Sequence, residues 1–388
     1  MQGISAAAFA VASGILVLAP AGLGEEKDPF PGKATLAAYD AKRPFLRNFL
    51  LPAGRAEAAE PAFRIARGVA GANLVFADID GNGRFDDAGA DGWTVEGNAH
   101  LVPFESPLIV GAKEVRVLFA PGSPELRFRT AAIPGPPESL EALALVNGLR
   151  MRNGIPPVTL DPALSRACEL HSEYCRRNGL THDELPGKPG YTEEGARAGK
   201  ASAIASTRSP VDAVAGFYCD FYHRFSIVDP HTRALGIGVS VQVTSIDGSS
   251  STASRPWRWP QAVPADGTSG QPREFGPRES PRAYPEDLTP GFPITLLFSG
   301  TDVRDVKATL FSGARGTTPV PVLVSWPGKP AHPDFPDNGS AIAIIPEERL
   351  SPETAYAFRV SFLKGGKPGE AAGEFVTGRS GGALPSGR

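Results

Sequence analysis

The sequence predicts an α+β protein in which a mixed central unit lies between two β-rich units. Three observations support this fold class. Between residues 139 and 243, capped helical stretches precede an alternating run that is typical of a half-buried strand. Short apolar runs bounded by Gly, Pro and Asp recur in residues 31–130 and again in residues 284–378. A chain of 388 residues is also long for one core, so its size favours two or three domains.

The ends of the helices in the central unit are marked by capping residues. The first helix is predicted over about residues 139–152. The second begins at Asp161-Pro162 and ends before Gly179. The aspartate can accept hydrogen bonds from first-turn amides, and proline is tolerated at the first helical position because an N–H there would have no partner within the helix. A third helix opens at Ser209-Pro210 for the same reasons. Alternating apolar residues at 237–243 then predict a half-buried strand.

Short motifs follow one another along the central unit in a distinctive order. They are Leu145-Val146-Asn147 with Arg150, Gly154-Ile155-Pro156-Pro157-Val158, Leu160-Asp161-Pro162-Ala163-Leu164, Thr181-His182, Phe217 with Asp220, His223-Arg224, Ile227, Asp229-Pro230 and Gly236-Ile237-Gly238-Val239. This series resembles the CAP superfamily of cysteine-rich secretory, antigen 5 and pathogenesis-related-1 proteins, and in particular its bacterial SCP-like branch. The resemblance covers roughly a third of the chain. It implies an α-β-α sandwich whose cleft usually holds two histidines and two acidic residues.

The resemblance assigns the candidate site residues of this chain. His182 and His223 stand at the family's two histidine positions, and Asp220 stands at its second acidic position. The first acidic residue of the family lies in a Gly-Glu-Asn turn, where this chain has Lys200. An ammonium group at that position opposes a divalent ion, so Glu194, or the glutamate before it, is the candidate replacement.

Three interpretations of the two histidines remain open. In the first, His182 and His223 bind Zn²⁺ with an acidic oxygen. In the second, they perform general acid–base catalysis of hydrolysis, with Ser202, Ser206 or Ser226 as a nucleophile that no motif supports. In the third, the cleft is a binding surface and hydrogen bonds satisfy the imidazoles.

The small β domain, predicted over residues 30–133, contains a calcium-loop pattern. Asp78, Asp80, Asn82 and Asp86 occupy positions one, three, five and nine of such a loop, and Gly83 stands where a sharp turn is needed. Position twelve is glycine instead of a bidentate glutamate, and no flanking helices are predicted. A hairpin loop whose polar residues satisfy turn geometry is the alternative. A bound Ca²⁺ would hold the loop and take no part in chemistry.

The C-terminal unit, predicted over residues 284–378, has strand candidates at the spacing of a β-sandwich. Its run from Leu350 to Tyr356 resembles the closing strands of bacterial Ig-like domains, which space or dock their partners. Residues 263–283 are rich in Gly, Pro, Ser and Arg, and this composition predicts a linker between this unit and the CAP-like domain at 137–262.

The cysteines are too few for a disulfide scaffold. Cys168, His171 and Cys175 share one face of the second predicted helix, where three soft ligands would need a fourth to hold zinc. Core packing is therefore the favoured interpretation. Cys175 and Cys219 could pair in an oxidising compartment, or all three thiols could be free.

The composition and the apolar N-terminal stretch limit the expected location and binding partners of the protein. With a net charge of −3, the chain lacks the excess of basic residues that is typical of nucleic-acid-binding proteins, so nucleic acid is not an expected partner. Residues 1–24 form an apolar stretch with small residues before a plausible cleavage site, which predicts a signal peptide and no stable membrane span after its removal. We therefore expect a secreted, periplasmic or cell-surface protein.

The functional prediction follows from these observations. We expect an exported protein that binds a small-molecule, glycan or protein ligand outside the cytoplasm and is not an enzyme. The alternative is a metal-dependent hydrolase that uses His182 and His223, with Asp220 and Glu194 as candidate acidic residues. Ca²⁺ in the N-terminal loop and Zn²⁺ in the CAP cleft are the expected metal ions.

Overall fold

The structure, a computed structural model, describes residues 30–41, 44–120, 122–313 and 317–379. Within these ranges the chain forms twenty-two β-strands, five α-helices and one short 3-10 turn. The fold is mixed, with many strands and few helices, which agrees with the predicted α+β class. Of the helices in these ranges, none is long and apolar enough to cross a membrane. The predicted signal peptide at residues 1–24 lies outside the described residues.

A nine-stranded sheet forms the N-terminal unit. Its strands are β1 (Gly32–Ala38), β2 (Leu46–Arg47), β3 (Ala62–Val69), β4 (Ala72–Asp78), β5 (Gly92–Val95), β6 (His100–Pro103), β7 (Ile109–Val110), β8 (Lys113–Phe119) and β9 (Glu125–Ala132). They lie in the order β2-β6-β5-β4-β3-β1-β9-β8-β7, and the β2–β6 pair is parallel. Strand β1 pairs with β9 through its first half and with β3 through its second half. Phe76, Val115 and Leu126 come from β4, β8 and β9 but are buried in one core, so the sheet folds over on itself at β1.

The central unit has three layers. Its elements are α1 (Pro137–Arg152), β10 (Thr159–Leu160), α2 (Pro162–Asn178), α3 (Glu193–Ala201), β11 (Ser202–Ala205), α4 (Pro210–Cys219), α5 (Phe225–Val228), β12 (Ala234–Ser240) and β13 (Val243–Asp247). The sheet has the order β10-β12-β13-β11. One face carries Gly238, where a Cβ would lie 2.0 Å from the Glu169 backbone nitrogen of α2. Ile237 and Ile246 point to the other face and are buried in a core shared with α1 and α4. Helices therefore cover both faces of this sheet.

The predicted ends of the helices agree with the structure. Asp161 Oδ1 accepts from the amides of Ala163 and Leu164 at 2.8 and 3.0 Å at the start of α2. Gly179 follows this helix with a φ of 92°, a conformation that glycine adopts without steric cost. Ser209 Oγ accepts from a first-turn amide of α4 at 3.1 Å. These local hydrogen bonds explain why the capping residues locate the helices.

Two local features differ from the sequence prediction. Residues 237–243 form the end of β12 and the start of β13 instead of one strand, because Val241 adopts a φ of 44° in the turn between them. Helix α3 is absent from the prediction, since Gly195 and Gly199 lower the helix propensity of its nine residues. Thr192 Oγ1 nevertheless caps it by accepting from the Gly195 amide at 2.9 Å.

Two further sheets form the C-terminal unit. Their strands are β14 (Gln261–Val263), β15 (Thr268–Gln271), β16 (Ile294–Leu297), β17 (Val303–Ser312), β18 (Thr318–Val320), β19 (Val322–Ser325), β20 (Ala341–Pro346), β21 (Ala355–Lys364) and β22 (Lys367–Thr377). One sheet has the order β14-β16-β20-β19, and the other has the order β15-β22-β21-β17-β18. Ile344 of the first sheet and Phe358 of the second are buried in the same core.

The stretch at 263–283 differs from the predicted linker. Strand β14, which ends at Val263, pairs with β16, and β15 pairs in parallel with β22. Both are edge strands of the C-terminal sheets, so the chain enters this unit well before residue 284. Thr268 and Gln271 are buried, and hydrogen bonds to the Ala265 carbonyl and from the Tyr218 hydroxyl satisfy their polar side chains. Because its buried polar groups are paired in this way, a stretch with few apolar residues can belong to the folded unit.

Buried polar side chains join the three units. Gln261 of β14 donates to the Asn153 carbonyl at the end of α1, at 2.9 Å, and accepts from Asn48 of the N-terminal unit at 2.8 Å. The Tyr218 hydroxyl of α4 donates to Gln271 of β15 at 2.9 Å. We use the term seam for this junction between the central and C-terminal units.

Candidate functional site

The end of helix α4 positions an aspartate and a histidine against each other. Helix α4 ends at Cys219, so Asp220 is its C-terminal cap and His223 lies in the following turn. His223 Nδ1 lies 2.8 Å from Asp220 Oδ2, and the imidazole packs on the Phe217 ring at a centroid distance of 5.1 Å. Asp220 is buried, whereas His223 is partly exposed. The structure therefore brings two of the predicted site residues together.

A third ionisable side chain, Glu279, completes this cluster from the segment after β15. One oxygen each of Asp220 and Glu279 and one nitrogen of His223 all lie within 4.8 Å of one another. Glu279 Oε1 accepts hydrogen bonds from the amides of Phe221, Tyr222 and His223. Glu279 is 3% exposed, and its Oε2 has no hydrogen-bond partner among the described residues. Burial, and then the charge of Asp220, raise the pKa of Glu279 well above its usual range.

Gly276 allows this segment to approach α4 closely. Its amide donates to the Cys219 carbonyl at 2.9 Å, and a Cβ at this position would lie 1.6 Å from Asp220 Oδ1. The sequence prediction does not include Glu279, because this residue lies in the stretch that was predicted to be a linker and 56 residues after His223. No local spacing in the sequence relates Glu279 to the α4 turn.

His182 lies outside this cluster. It is exposed, and its Nδ1 donates to the Gly199 carbonyl near the end of α3 at 2.8 Å. Lys200, the next residue along α3, is exposed as well. Among the described residues, His182 and His223 share no hydrogen bond and no common ligand cluster. The two predicted histidines therefore have different immediate partners.

Glu194 lies at the opposite end of α3 from Lys200. Glu194 is in the first turn of this helix and Lys200 is in its last turn. With a rise of about 1.5 Å per residue, they are separated by roughly 9 Å along the helix axis. Both side chains are exposed. The structure does not bring Glu194 to the position where the family's carboxylate was expected.

A second histidine–carboxylate pair is buried between α2 and α3. His171 Nδ1 lies 2.9 Å from Glu184 Oε1, and both side chains are inaccessible to solvent. His171 Nε2 lies 3.0 Å from the Thr181 carbonyl, and Glu184 Oε2 accepts from the amide of the α3 cap residue Thr192 at 3.1 Å. The pair therefore holds the start of α3 against α2. The sequence prediction places His171 in the core but does not identify Glu184 as its partner.

The three cysteines are free and buried. Cys168 Sγ lies 3.6 Å from Ser202 Oγ, and Cys175 Sγ lies 3.4 Å from the Thr181 carbonyl. Burial raises the pKa of the Cys168 and Cys219 thiols to about 12. Thiols with so high a pKa are poor nucleophiles.

The loop after β4 gathers three aspartates. Oxygens of Asp78, Asp80 and Asp91 lie within 4.8 Å of one another. The Asp78 carboxylate accepts from the backbone amides of residues 81–83 at 2.7 to 3.1 Å. Asp80 Oδ1 is buried and has no hydrogen-bond partner among the described residues. Burial raises the pKa of Asp91 to about 7.

Other predicted calcium ligands have different partners. Asn82 Nδ2 donates to Asp87 Oδ2 at 2.6 Å, and Asp86 Oδ1 accepts from Arg84 Nε at 3.1 Å. The Arg55 guanidinium donates to Asp87 and to Asp80. The structure thus places Asp91, and not Asp86, beside Asp78 and Asp80.

Comparisons with known proteins concern the central domain. Residues 143–245 match the family model described as "CAP: Cysteine-rich secretory protein family". A crystal structure of an extracellular protein containing an SCP domain from Bacillus anthracis str. Ames is similar, with 14% sequence identity and a TM-score of 0.25. That similarity covers 50% of this chain and 86% of the other chain. None of the curated proteins compared with the chain matches it.

The family match coincides with the stretch in which the ordered motifs were found. It begins two residues before Leu145 and ends within β13. The family predicted from those motifs is therefore confirmed for this part of the chain. The central domain of this protein is a CAP-superfamily domain.

Proposed function

We propose that the chain is an exported protein whose CAP domain binds a ligand outside the cytoplasm without catalysing a reaction. The predicted signal peptide supports export to a secreted, periplasmic or cell-surface location. The ligand is a small molecule, a glycan or a protein. The exposed imidazole of His182 and the exposed ammonium of Lys200 offer polar groups to such a ligand.

The observation that supports binding over hydrolysis is the absence of a paired nucleophile. Among the described hydroxyl groups, none is hydrogen-bonded to His182 or His223. Covalent hydrolysis needs a nucleophile within hydrogen-bonding reach of its base. Of the serines considered from the sequence, Ser202 is buried and contacts Cys168 Sγ instead.

The C-terminal unit would space or dock the CAP domain. Its two sheets share a core, which supports the Ig-like sandwich that the sequence predicts. The buried hydrogen bonds at the seam would fix the orientation in which this sandwich presents the CAP domain.

The alternative function is a metal-dependent hydrolase that uses His182 and His223. The cluster of Asp220, His223 and Glu279 supports a metal ion beside His223, although His182 lies outside it, and a bound metal ion generates hydroxide from water and needs no serine.

Hydrolysis assays distinguish the two functions. The full chain would be assayed on casein and on p-nitrophenyl acetate, with and without added zinc, beside His182→Ala and His223→Ala. We expect equal background rates from all three proteins, whose folding is checked by thermal melting. A rate more than tenfold above background in the wild type, lost in both folded variants, would favour the hydrolase.

We also infer that the loop of residues 78–91 binds Ca²⁺ as a structural ion. The clustered oxygens of Asp78, Asp80 and Asp91 support this proposal, because Ca²⁺ is a hard cation that binds oxygen ligands. Asp80 Oδ1 has no hydrogen-bond partner among the described residues and is therefore available to bind the ion. Arg55 supplies positive charge to Asp80 and to the neighbouring Asp87.

A further inference from the structure

We propose that a divalent transition-metal ion binds among Asp220, His223 and Glu279, at the seam between the CAP domain and the C-terminal unit. This proposal does not depend on whether the CAP domain is a binding module or a hydrolase. Its third ligand comes from outside the residues that match the CAP family, since that match ends at residue 245.

The donor set fits zinc. One imidazole nitrogen and two carboxylate oxygens are common protein ligands of Zn²⁺, at about 2.0–2.2 Å from the ion. Two such ligands can lie no more than roughly 4.4 Å apart when both bind the same ion. The three ligand atoms here lie within 4.8 Å of one another, and a tetrahedral ion holds its ligands roughly 3.4 Å apart, so closure of the cluster by about 1 Å would bring all three into range.

Glu279 supplies the independent sign that this cluster takes a ligand. Its Oε1 is held by three backbone amides, which fixes the direction of the carboxylate. Its Oε2 belongs to a side chain only 3% exposed and has no hydrogen-bond partner among the described residues. A buried polar atom without a partner is costly, and a metal ion beside Oε2 would remove that cost.

The charges around the cluster are also suited to a cation. Asp220 and Glu279 face each other across the buried turn, so two ionised carboxylates would repel without positive charge between them. The buried Arg224 guanidinium interacts electrostatically with both carboxylates, but its hydrogen bonds go to backbone carbonyls such as that of Pro293, at 2.7 Å, and not to Asp220 or Glu279.

An entry path leads to Glu279. A cleft of about 850 Å³ is lined by residues 277–286 and by parts of β19 and the loop that follows it, including His332. Three protein ligands leave a fourth position on a tetrahedral ion for water or another ligand. By joining the α4–α5 turn to the segment after β15, the ion would tie the CAP domain to the C-terminal unit.

Zinc titration of the chelator-treated full chain tests this proposal. The two informative variants are Glu279→Gln and Asp220→Asn. Glutamine keeps an oxygen for the three backbone amides but replaces Oε2 with an amide nitrogen that does not bind metal ions, so the turn is expected to survive. Glu274→Gln is the matched control, because Glu274 lies in the same segment but is partly exposed and pairs with Arg349. His182→Ala reports on the other predicted zinc histidine.

We expect the wild type to bind one equivalent of zinc, and both informative variants to bind it more than about 100-fold more weakly. Glu274→Gln and His182→Ala should match the wild type. If Glu279→Gln fails to fold, Asp220→Asn decides the outcome by itself. The proposal is overturned if the wild type binds no zinc, or if zinc binding survives in Glu279→Gln. It is also overturned if His182→Ala loses the ion while Glu279→Gln keeps it.

Discussion

At the scale of single residues, Arg224 joins two units through backbone carbonyls. It is fully buried, and its Nε donates to the Tyr218 carbonyl at 2.8 Å. Its Nη1 donates to the Pro293 carbonyl and to Thr295 Oγ1 at 2.7 and 2.9 Å. The guanidinium also lies 4.5 Å from the centre of the Phe292 ring. This geometry depends on a planar fork of donors, which lysine lacks.

We expect Arg224→Lys to lower the free energy of unfolding by about 3 kcal/mol, because one ammonium group cannot reach acceptors in both units. Urea denaturation measures the change. Arg258→Lys is the control, since the Arg258 side chain is exposed, and it should change stability by less than about 0.5 kcal/mol. Equal effects of the two substitutions would show that Arg224 does not hold the seam.

Arg224 and Glu279 show what the sequence can and cannot indicate about single residues. Arg224 follows His223 in a recognisable motif, so its place in the domain was predictable. Its acceptors Pro293 and Thr295 lie 69 and 71 residues further along the chain, and no local pattern indicates them. No sequence motif marks Glu279, because its hydrogen-bond partners are backbone amides, which almost any residue type would provide.

At the scale of elements, helix α3 depends on close contact with the His171–Glu184 pair. A Cβ at Gly199 would lie 2.4 Å from His171 Cε1 and 2.6 Å from the His182 carbonyl oxygen. The imidazole of His171 cannot move aside easily, because both ring nitrogens have hydrogen-bond partners. In the sequence, a capping residue and two acidic first-turn residues are typical of a helix start here, at Thr192, Glu193 and Glu194. The helix was not predicted, because the glycines that permit its close packing also lower its helix propensity.

Gly199→Ala should lower the free energy of unfolding by about 2 kcal/mol through overpacking. Gly148→Ala is the matched control, because Gly148 also lies in a helix but is exposed and has no atom within 4 Å of a Cβ. That control should raise stability by up to about 1 kcal/mol. Denaturation by urea compares the two, and a neutral Gly199→Ala would contradict the packing described for α3.

The loop of residues 78–91 is the second element with a specific prediction. Calcium at one hundred times its dissociation constant should stabilise the folded chain by about 2.7 kcal/mol, because the ion binds only the folded loop. Thermal melting with and without millimolar calcium measures this effect. Asp80→Asn should abolish it, whereas Asp334→Asn, at an exposed aspartate of the C-terminal unit, should leave it intact. An unchanged transition in the wild type would rule out the calcium proposal.

At the scale of the whole molecule, the candidate metal site lies where two units meet. The α4–α5 turn supplies Asp220 and His223, and the segment after β15 supplies Glu279. The sequence indicated the CAP domain and the two β-rich units because helix caps and strand alternation are local features. It did not indicate how they join, since Gln261 and Asn153 form their hydrogen bond across 108 residues of chain.

Diffraction from crystals of the zinc-loaded full chain, measured on both sides of the zinc absorption edge, tests this arrangement most directly. The predicted result is one anomalous peak at about 2.0–2.2 Å from Asp220, His223 and Glu279. A zinc peak bound by His182 and His223 instead, or no peak beside Glu279, would contradict a metal site built across the seam.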